Sequence, residues 1–259
     1  MVILFIGDIV GEPGRRIITS QLQKVVGAHQ VDLIFGNGEN VAGGFGITAD
    51  LAGDLFDLGL SAITTGNHAW DKKETIEYIR KEPRLLRPAN YPEGTPGQGT
   101  LVIELPNGET VGLLQLMGRA FMPALDCPFQ VARREVPKLR ERTKTIIVDM
   151  HAETTSEKMA MGYFLDGQVT AVVGTHTHVQ TADEQVLPKG TAYLTDIGMT
   201  GPIHSVIGFK KDLVIEKFLT QMPRRFEVAT GPAVLSAAVI EIESHTGKAI
   251  GIKRVREFD

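Results

Sequence analysis

Cysteine, aromatic residues and long apolar runs are all scarce in this sequence. The 259 residues include one cysteine, Cys127, which excludes an intrachain disulfide and a zinc cluster built on cysteine thiolates. No run approaches the ~20 apolar residues that a membrane helix needs. The apolar start, residues 1–6, has no basic region and is too short for the core of a signal peptide. We therefore expect a cytoplasmic protein with no membrane partner.

An excess of basic charge is also missing. Lysine and arginine together number 27 against 31 aspartate and glutamate residues, which gives a formal net charge of −4. The composition therefore gives no sign of the basic stripe that typically binds nucleic acid. Apolar residues make up 42% of the chain, which is ordinary for a globular protein and sufficient for a sizeable core.

Short β-branched runs alternate with amphipathic stretches along the chain, which predicts β-α units and a largely parallel sheet. The predicted strands are residues 2–7, 31–36, 61–65, 145–149, 169–174 and 191–195. The predicted helices are residues 15–26, 48–58, 73–80, 129–142 and 156–165. Two antiparallel hairpins are expected, formed by residues 101–105 with 110–116 and by 233–243 with 248–257. Strand signals resume after each of the Gly- and Pro-rich loops, 87–99, 118–128 and 196–208, so we expect one domain over residues 1–259.

Polar side chains follow these strands at the point where each strand ends. In chain order they are Asp8, Glu39 with Asn40, Asn67 with His68, His151, and His176 with His178. A single residue of this kind is usually a helix cap, a turn residue or a satisfied core histidine. The carboxyl ends of parallel strands, however, share one edge of a sheet, where ligands bind. The recurrence therefore favours one shared site, with the Gly- and Pro-rich loops as its rim.

The chemistry of these side chains indicates a metal site. Alternation along an extended chain would place the imidazoles of His176 and His178 on one side, and neutral imidazole is a common metal donor. Carboxylate, carboxamide and imidazole donors without a thiolate suit manganese, iron or zinc. The set is too large for one ion. Two ions that share a bridging carboxylate would use it, and such a pair is known for phosphate-ester hydrolysis.

The same residues resemble the ordered motifs of the calcineurin-like metallophosphoesterases: Gly7-Asp8, Gly38-Glu39-Asn40, Gly66-Asn67-His68, His151 and Gly174-Thr175-His176-Thr177-His178. The resemblance is closer to the bacterial YmdB-type phosphodiesterase subfamily and covers essentially the whole chain. It implies a four-layer αββα sandwich with two mixed sheets and activity on 2′,3′-cyclic nucleotides. The superfamily usually has a histidine two residues after Asp8 and Gly-Asp where this chain has Gly38-Glu39, and the subfamily shares both departures.

The resemblance also implies a role for each residue. One metal ion would be held by Asp8, Asn40 and His178, and the other by Asn67, His151 and His176, with Glu39 as the bridge. The ions would be iron or manganese, with zinc as a further candidate. A hydroxide between them would attack phosphorus in line, and His68 would protonate the leaving oxygen. The resemblance thus implies a metal-dependent phosphoric diester hydrolase.

One alternative is disfavoured and others stay open at this point. Gly7, Gly11 and Gly14 do not have the spacing of a dinucleotide-binding fingerprint, which argues against a dehydrogenase. A metal-binding regulatory or scaffold protein with little turnover is the alternative function. The substrate is open between a cyclic nucleotide, another small phosphodiester and an RNA end, and a homo-oligomer is expected.

The sequence allows two interpretations for each of three further residues and one for a fourth. His204 would contact substrate or lie on the surface, and Asp196 would hold a ligand histidine or cap a strand end. Trp70 would stack on a base or pack in the core. His29 is expected in a surface turn.

Overall fold

The computed structural model describes every residue from Met1 to Asp259. Its strands are β1 (Val2–Ile6), β2 (Asp8–Ile9), β3 (Leu33–Asn37), β4 (Ala62–Thr64), β5 (Thr100–Glu104), β6 (Thr110–Met117), β7 (Thr145–His151), β8 (Ala171–Thr175), β9 (Gln185–Val186), β10 (Ala192–Leu194), β11 (Met199–Pro202), β12 (Ala233–Glu243) and β13 (Lys248–Phe258). Its helices are α1 (Gly11–His29), α2 (Ala49–Asp57), α3 (Thr75–Ile79), α4 (Pro128–Arg140), α5 (Thr155–Leu165) and α6 (Lys211–Thr220).

The strands form two mixed sheets. The first has the order β2-β11-β12-β1-β3-β4, with β13 paired to β12, and the second has the order β5-β6-β7-β8-β10-β9. The neighbours β1, β3 and β4 are parallel, as are β6, β7, β8 and β10. The two predicted hairpins are the antiparallel pairs β5–β6 and β12–β13. The prediction of an α/β fold with two mixed sheets is therefore confirmed.

Alternation of side chains along the strands creates four layers, because successive residues point to opposite faces of a sheet. One face of each sheet contributes to a shared apolar core between the sheets, which includes Ile3, Phe5, Phe35, Leu113, Ile147 and Val173. The opposite face of the first sheet packs on α1 and α2. The opposite face of the second sheet packs on α4 and α5. This is the predicted αββα arrangement.

The predicted helices have recognisable termini. Thr48 caps α2, and its side-chain oxygen accepts a hydrogen bond from the Leu51 amide at 3.3 Å. Helix α4 begins at Pro128, a residue suited to a first helical turn. Helix α1 begins at Gly11, four residues earlier than predicted, because Pro13 also fits a first turn. The same helix extends to His29, so the prediction that His29 lies in a turn is wrong.

Four elements lie where the sequence predicts none: the two-residue strands β2 and β9, strand β11 and helix α6. Strand β11 is in a segment rich in Gly and Pro that is typical of a loop, yet it pairs with both β2 and β12. Helix α6 has no clear apolar stripe, since Phe218 and Leu219 are 73% and 80% exposed. No helix in the structure is both long enough and apolar enough to cross a membrane.

Candidate metal centre

The carboxyl ends of five strands meet at one edge of the molecule, and the predicted site residues lie along it. Asp8 follows β1, and His151 is the last residue of β7, where it pairs in register with Thr175 of β8. The others lie directly after β3, β4 and β8: Glu39, Asn40, Asn67, His68, His176 and His178. Parallel strands run in the same direction, so their carboxyl ends lie at the same edge of the sheet. This explains the convergence of the site residues.

Two groups of metal-ligand atoms form within this edge. In the first group, Nε2 of His151 lies 3.0 Å from Oδ1 of Asn67 and 3.1 Å from Oε1 of Glu39. The same nitrogen lies 3.1 Å from Nδ1 of His176. One ligand atom each from Glu39, His151 and His176 lies within 4.8 Å of the others, which is compact enough to surround a single ion.

The second group consists of Asp8, Asn40 and His178. Nε2 of His178 lies 3.2 Å from Oδ1 of Asn40 and 3.9 Å from Oδ1 of Asp8. The side-chain nitrogen Nδ2 of Asn40 donates to the Gly44 carbonyl at 2.9 Å, and Oδ1 of the same side chain faces His178. Oδ1 of Asp8 is fully buried and has no hydrogen-bond partner. A buried carboxylate oxygen without a partner is costly, so this group is suited to a bound cation.

Hydrogen bonds on the outer side of two histidines determine which nitrogen holds the proton. Nδ1 of His178 lies 2.9 Å from the Ile207 carbonyl, which can only accept, so this nitrogen is protonated. Nδ1 of His151 lies 2.8 Å from the Thr175 hydroxyl, and that hydroxyl donates to Asp149. The hydroxyl proton is already used, so His151 Nδ1 donates as well. Each Nε2 is therefore the nitrogen available to a metal.

The fit to a metal ion follows from these tautomers. When His151 and His178 are neutral, Nε2 of each ring has a lone pair and can only accept a hydrogen bond. The neighbouring carboxylate and carboxamide oxygens can also only accept. Such a set of facing acceptors is satisfied by a cation, either a proton or a metal ion. The donors are oxygen and nitrogen atoms without a thiolate, which suits manganese, iron or zinc.

The pKa values at the first group reflect the same electrostatics. Burial favours the neutral form of Glu39, but the charge of His151 and a hydrogen bond with it outweigh burial and lower the pKa to about 2. Burial also opposes the charged form of His151, but the Glu39 carboxylate raises its pKa to about 9. Burial and the neighbouring His151 lower the pKa of His176 to about 3. In the second group, burial raises the pKa of Asp8.

The two histidines after β8 do not lie on an extended chain, and that part of the prediction is wrong. Strand β8 ends at Thr175, and the φ angles of His176 and His178 are 102° and 65°. Positive φ is uncommon for residues other than glycine. The curled backbone directs the two imidazoles to different groups, His176 to the first and His178 to the second. The histidines thus contribute to both groups instead of sharing one.

His68 lies next to the first group. Its backbone amide donates to Oε2 of Glu39 at 3.1 Å, and its Nδ1 lies 2.8 Å from Oδ2 of Asp71. The Phe45 ring packs edge-on against the imidazole with centroids 5.1 Å apart. No hydrogen bond joins the ring nitrogens of His68 to the predicted ligands, and the carboxylate of Asp71 orients Nδ1 away from them. The sequence motifs did not identify Asp71.

Gly66 permits the close packing of the first group. A Cβ at this position would fall well inside contact distance of both Nε2 of His151 and Oε2 of Glu39. Any side chain larger than hydrogen would therefore occupy the space between the ligands. This explains the glycine of the Gly66-Asn67-His68 motif in steric terms.

Buried polar residues outside the motifs connect the strand ends, and they were missed at the level of sequence. Oδ1 of Asn37 accepts from the Glu39 amide at 3.0 Å, while its Nδ2 donates to the Thr65 carbonyl at 2.9 Å. Gln115 of β6 bonds both the amide and the carbonyl of Thr65, which ties the second sheet to the first. In the sequence, Asn37 and Gln115 are recognisable only as polar residues inside otherwise apolar strands. That pattern does not reveal which group each side chain hydrogen-bonds.

A further carboxylate lies on the outer side of His176. Oε2 of Glu153 is 3.2 Å from Nε2 of His176, so the negative charge faces the nitrogen that points away from the first group. A carboxylate at this position favours a proton on Nε2 and leaves Nδ1 free. No sequence pattern singled out Glu153.

The residues with two interpretations are now placed. Trp70 packs against the apolar core under the first sheet, with its ring 5.7 Å from that of Tyr91, which favours the core interpretation. His204 is exposed, in agreement with a surface position. Asp196 forms no hydrogen bond or ion pair with a histidine, and its carboxylate instead binds backbone amides close to the ends of β8 and β11. It accepts hydrogen bonds from Lys158, Thr177 and Gly198.

Comparison with known proteins gives close relatives. The chain is 48% identical to the 2′,3′-cyclic-nucleotide 2′-phosphodiesterase of Bacillus subtilis (strain 168), over 98% of this chain and 96% of the relative. A crystal structure of a hypothetical protein from Thermus thermophilus superposes with a TM-score of 0.94, at 41% identity and full coverage of both chains. A crystal structure of a phosphatase from Mycoplasma pneumoniae has a TM-score of 0.93 at 35% identity, covering 100% of this chain and 93% of that chain.

These relatives agree with the family expected from the motifs. The names of two of them, a phosphodiesterase and a phosphatase, confirm the predicted enzyme class, a hydrolase of phosphoric esters. The model of the family described as YmdB-like protein matches residues 4–255, which is nearly the whole chain. The chain therefore belongs to the YmdB-like protein family.

Proposed function

We propose that this protein is a dinuclear metal-dependent phosphodiesterase that acts on 2′,3′-cyclic nucleotides or related small phosphodiesters. The observation that supports this most strongly is the pair of ligand groups, each with an inward-facing histidine nitrogen directed at oxygen acceptors. The substrate class follows the name of the Bacillus subtilis relative at 48% identity.

In this proposal the two groups hold one ion each. Asn67, His151 and His176 of the first group would hold one ion, and Asp8, Asn40 and His178 of the second group would hold the other, with Glu39 between them. Iron or manganese is the proposed metal, since the donors are oxygen and nitrogen atoms. When bound, such ions supply positive charge against the phosphoryl oxygens and allow water to ionise near neutral pH.

The protein's own residues then determine orientation and proton transfer. His68 acts as the general acid: Nδ1 donates a hydrogen bond to Asp71, and the proton on Nε2 passes to the leaving alkoxide. The bond from the His68 amide to Glu39 holds the acid at a fixed place beside the ligands. Phe45 packs against the imidazole and limits its rotation.

We also propose that residues 1–259 act as one domain. The ligand groups draw on both sheets, because Asp8, Asn40 and Asn67 follow strands of the first sheet. His151 and the two later histidines come from strands of the second sheet. Neither sheet alone contains a complete group of ligands, so separation of the sheets would abolish the site.

The test is a phosphodiester panel with protein that has been stripped of metal and reloaded with Mn²⁺. We expect hydrolysis of bis-p-nitrophenyl phosphate and of 2′,3′-cyclic AMP, and loss of both activities in Asp8→Ala. A short RNA with a cyclic phosphate end tests the larger substrate. If the wild type binds Mn²⁺ but hydrolyses none of these esters, the protein is a metal-binding regulatory or scaffold protein and the proposal is wrong.

A further inference from the structure

A fully buried lysine lies behind the segment that carries two of the proposed ligands. Lys158 of α5 is 0% exposed, and its Nζ donates to Oδ2 of Asp196 at 2.6 Å, a carboxylate that is also 0% exposed. Lys158 lies near the N-terminal end of its helix, where the helix dipole disfavours a cation. Burial of the pair is costly as well, so this arrangement does not follow from stability alone.

The carboxylate of Asp196 binds the backbone between the two histidines. Its Oδ2 accepts from the amide of Thr177 at 3.1 Å and from the Thr177 hydroxyl at 2.7 Å. Its Oδ1 accepts from the amide of Gly198 at 2.8 Å. Three donors from two residues thus converge on Oδ2, and Thr177 is the residue that separates His176 from His178.

The histidines need such a restraint because their backbone is strained. Both have positive φ, and backbone of this kind persists only where the surroundings hold it in place. The space for the lysine is provided by Gly174, where a Cβ would lie 2.7 Å from Cδ of Lys158. The same Cβ would also collide with the Thr195 carbonyl oxygen. The glycine of the Gly174-Thr175-His176-Thr177-His178 motif therefore allows the buried pair to reach Thr177.

We infer that Lys158 and Asp196 are positioning residues of the metal centre, which act through Thr177 to hold His176 and His178 in their two ligand groups. The inference rests on the proposed function, since it assumes that the two histidines bind metal. Neither residue contacts the proposed ligands' imidazoles directly, so the effect is transmitted by the backbone. Because Thr177 lies between both ligands, a loss of this restraint affects both ions.

The test compares Mn²⁺ binding to metal-free wild type and three variants by titration calorimetry. Thr177→Val removes the hydroxyl with little change in volume, and Thr177→Ser restores it. We expect Thr177→Val to weaken binding of both ions about 10–100-fold, the range typical for residues that orient ligands, and Thr177→Ser to recover most of the loss. Thr19→Val is the matched control, since the Thr19 hydroxyl bonds only within α1 on the exposed surface.

The double variant Lys158→Met with Asp196→Asn tests the buried pair itself. Removal of both charges avoids an unpaired buried charge, so we expect it to fold with a melting temperature close to that of the wild type and with weakened Mn²⁺ binding. If it does not fold, the comparison of Thr177→Val with Thr177→Ser still decides the question. Wild-type affinity for Mn²⁺ in Thr177→Val, even with a lower melting temperature, overturns the inference. Failure of the wild type to bind Mn²⁺ overturns the proposed function instead.

Discussion

Nε2 of His151 lies 3.1 Å from Nδ1 of His176, and the outer nitrogen of each ring faces an acceptor elsewhere in the protein. His151 directs its Nδ1 to the Thr175 hydroxyl, and His176 directs its Nε2 to the carboxylate of Glu153. The outer contacts therefore favour lone pairs on the two nitrogens that face each other. Two such nitrogens at this distance are suited to binding one cation between them.

Metal binding is expected to release protons. The pKa of His151 is raised to about 9 in the metal-free protein, so at pH 7 the imidazole is protonated and a metal must displace that proton. If one proton is displaced, the affinity for Mn²⁺ should therefore fall about tenfold for each pH unit below 9. Titration calorimetry in two buffers of different ionisation enthalpy measures the number of protons. Equal heats in both buffers would contradict this prediction.

Gly66→Ala should abolish binding of the ion at the first group without loss of the fold. The added methyl group collides with Nε2 of His151 and Oε2 of Glu39, so the ligands cannot approach one another. Metal content by mass spectrometry and far-UV circular dichroism measure the two effects. Gly53→Ala is the control, because a Cβ there meets nothing within 4 Å and α2 gains about 0.5–1 kcal/mol from the replacement. Full metal content in Gly66→Ala would be inconsistent with the proposed ligands.

His68→Ala should lower hydrolysis of esters with poor leaving groups by about 10²–10⁴-fold while both ions are retained. Esters of p-nitrophenol should be affected less, because their leaving group needs little protonation. Asp71→Asn should change the rates in the same direction by a smaller factor, since it disturbs the Nδ1 contact only. The measurement is kcat for both ester classes together with metal content. Loss of metal from His68→Ala would show that His68 is a ligand.

Glu153→Gln should weaken binding of one ion and leave the other unchanged. The neutral amide no longer favours a proton on Nε2 of His176, so Nδ1 becomes a poorer ligand by about 10–100-fold in affinity. His178 has its own acceptor, the Ile207 carbonyl, and keeps its orientation. Competition with a chelator measures the two Mn²⁺ affinities separately, with the exposed Glu93→Gln as control. An equal loss at both ions would contradict the assignment of Glu153 to the first group alone.

Apolar alternation was sufficient to predict most strands and helices, because it is a local pattern, whereas the four layers were implied by the family resemblance. That pattern was not sufficient for β11 and α6, whose composition resembles that of loops or of unpaired surface. The candidate site residues could be selected because the motifs are short and contiguous. Their surroundings could not, because Lys158 and Gln115 act through partners that are distant in sequence and chosen by the packing of the sheets.

The conformation of the histidine segment shows the same limit. Two histidines separated by one residue suggest an extended chain with both rings on one side. In the structure both histidines have positive φ, and Thr177 between them donates to the carboxylate of Asp196, which is distant from the motif in sequence. Local spacing therefore selected the candidate ligands, whereas the placement of the two histidines in different groups was implied only by the family resemblance.

The dinuclear centre is tested most directly by the anomalous difference density of a crystal of the Mn²⁺-loaded protein. We expect two peaks in each chain, one among Asp8, Asn40 and His178 and the other among Asn67, His151 and His176, with Glu39 in contact with both. A single peak, or peaks away from these side chains, would contradict the dinuclear centre.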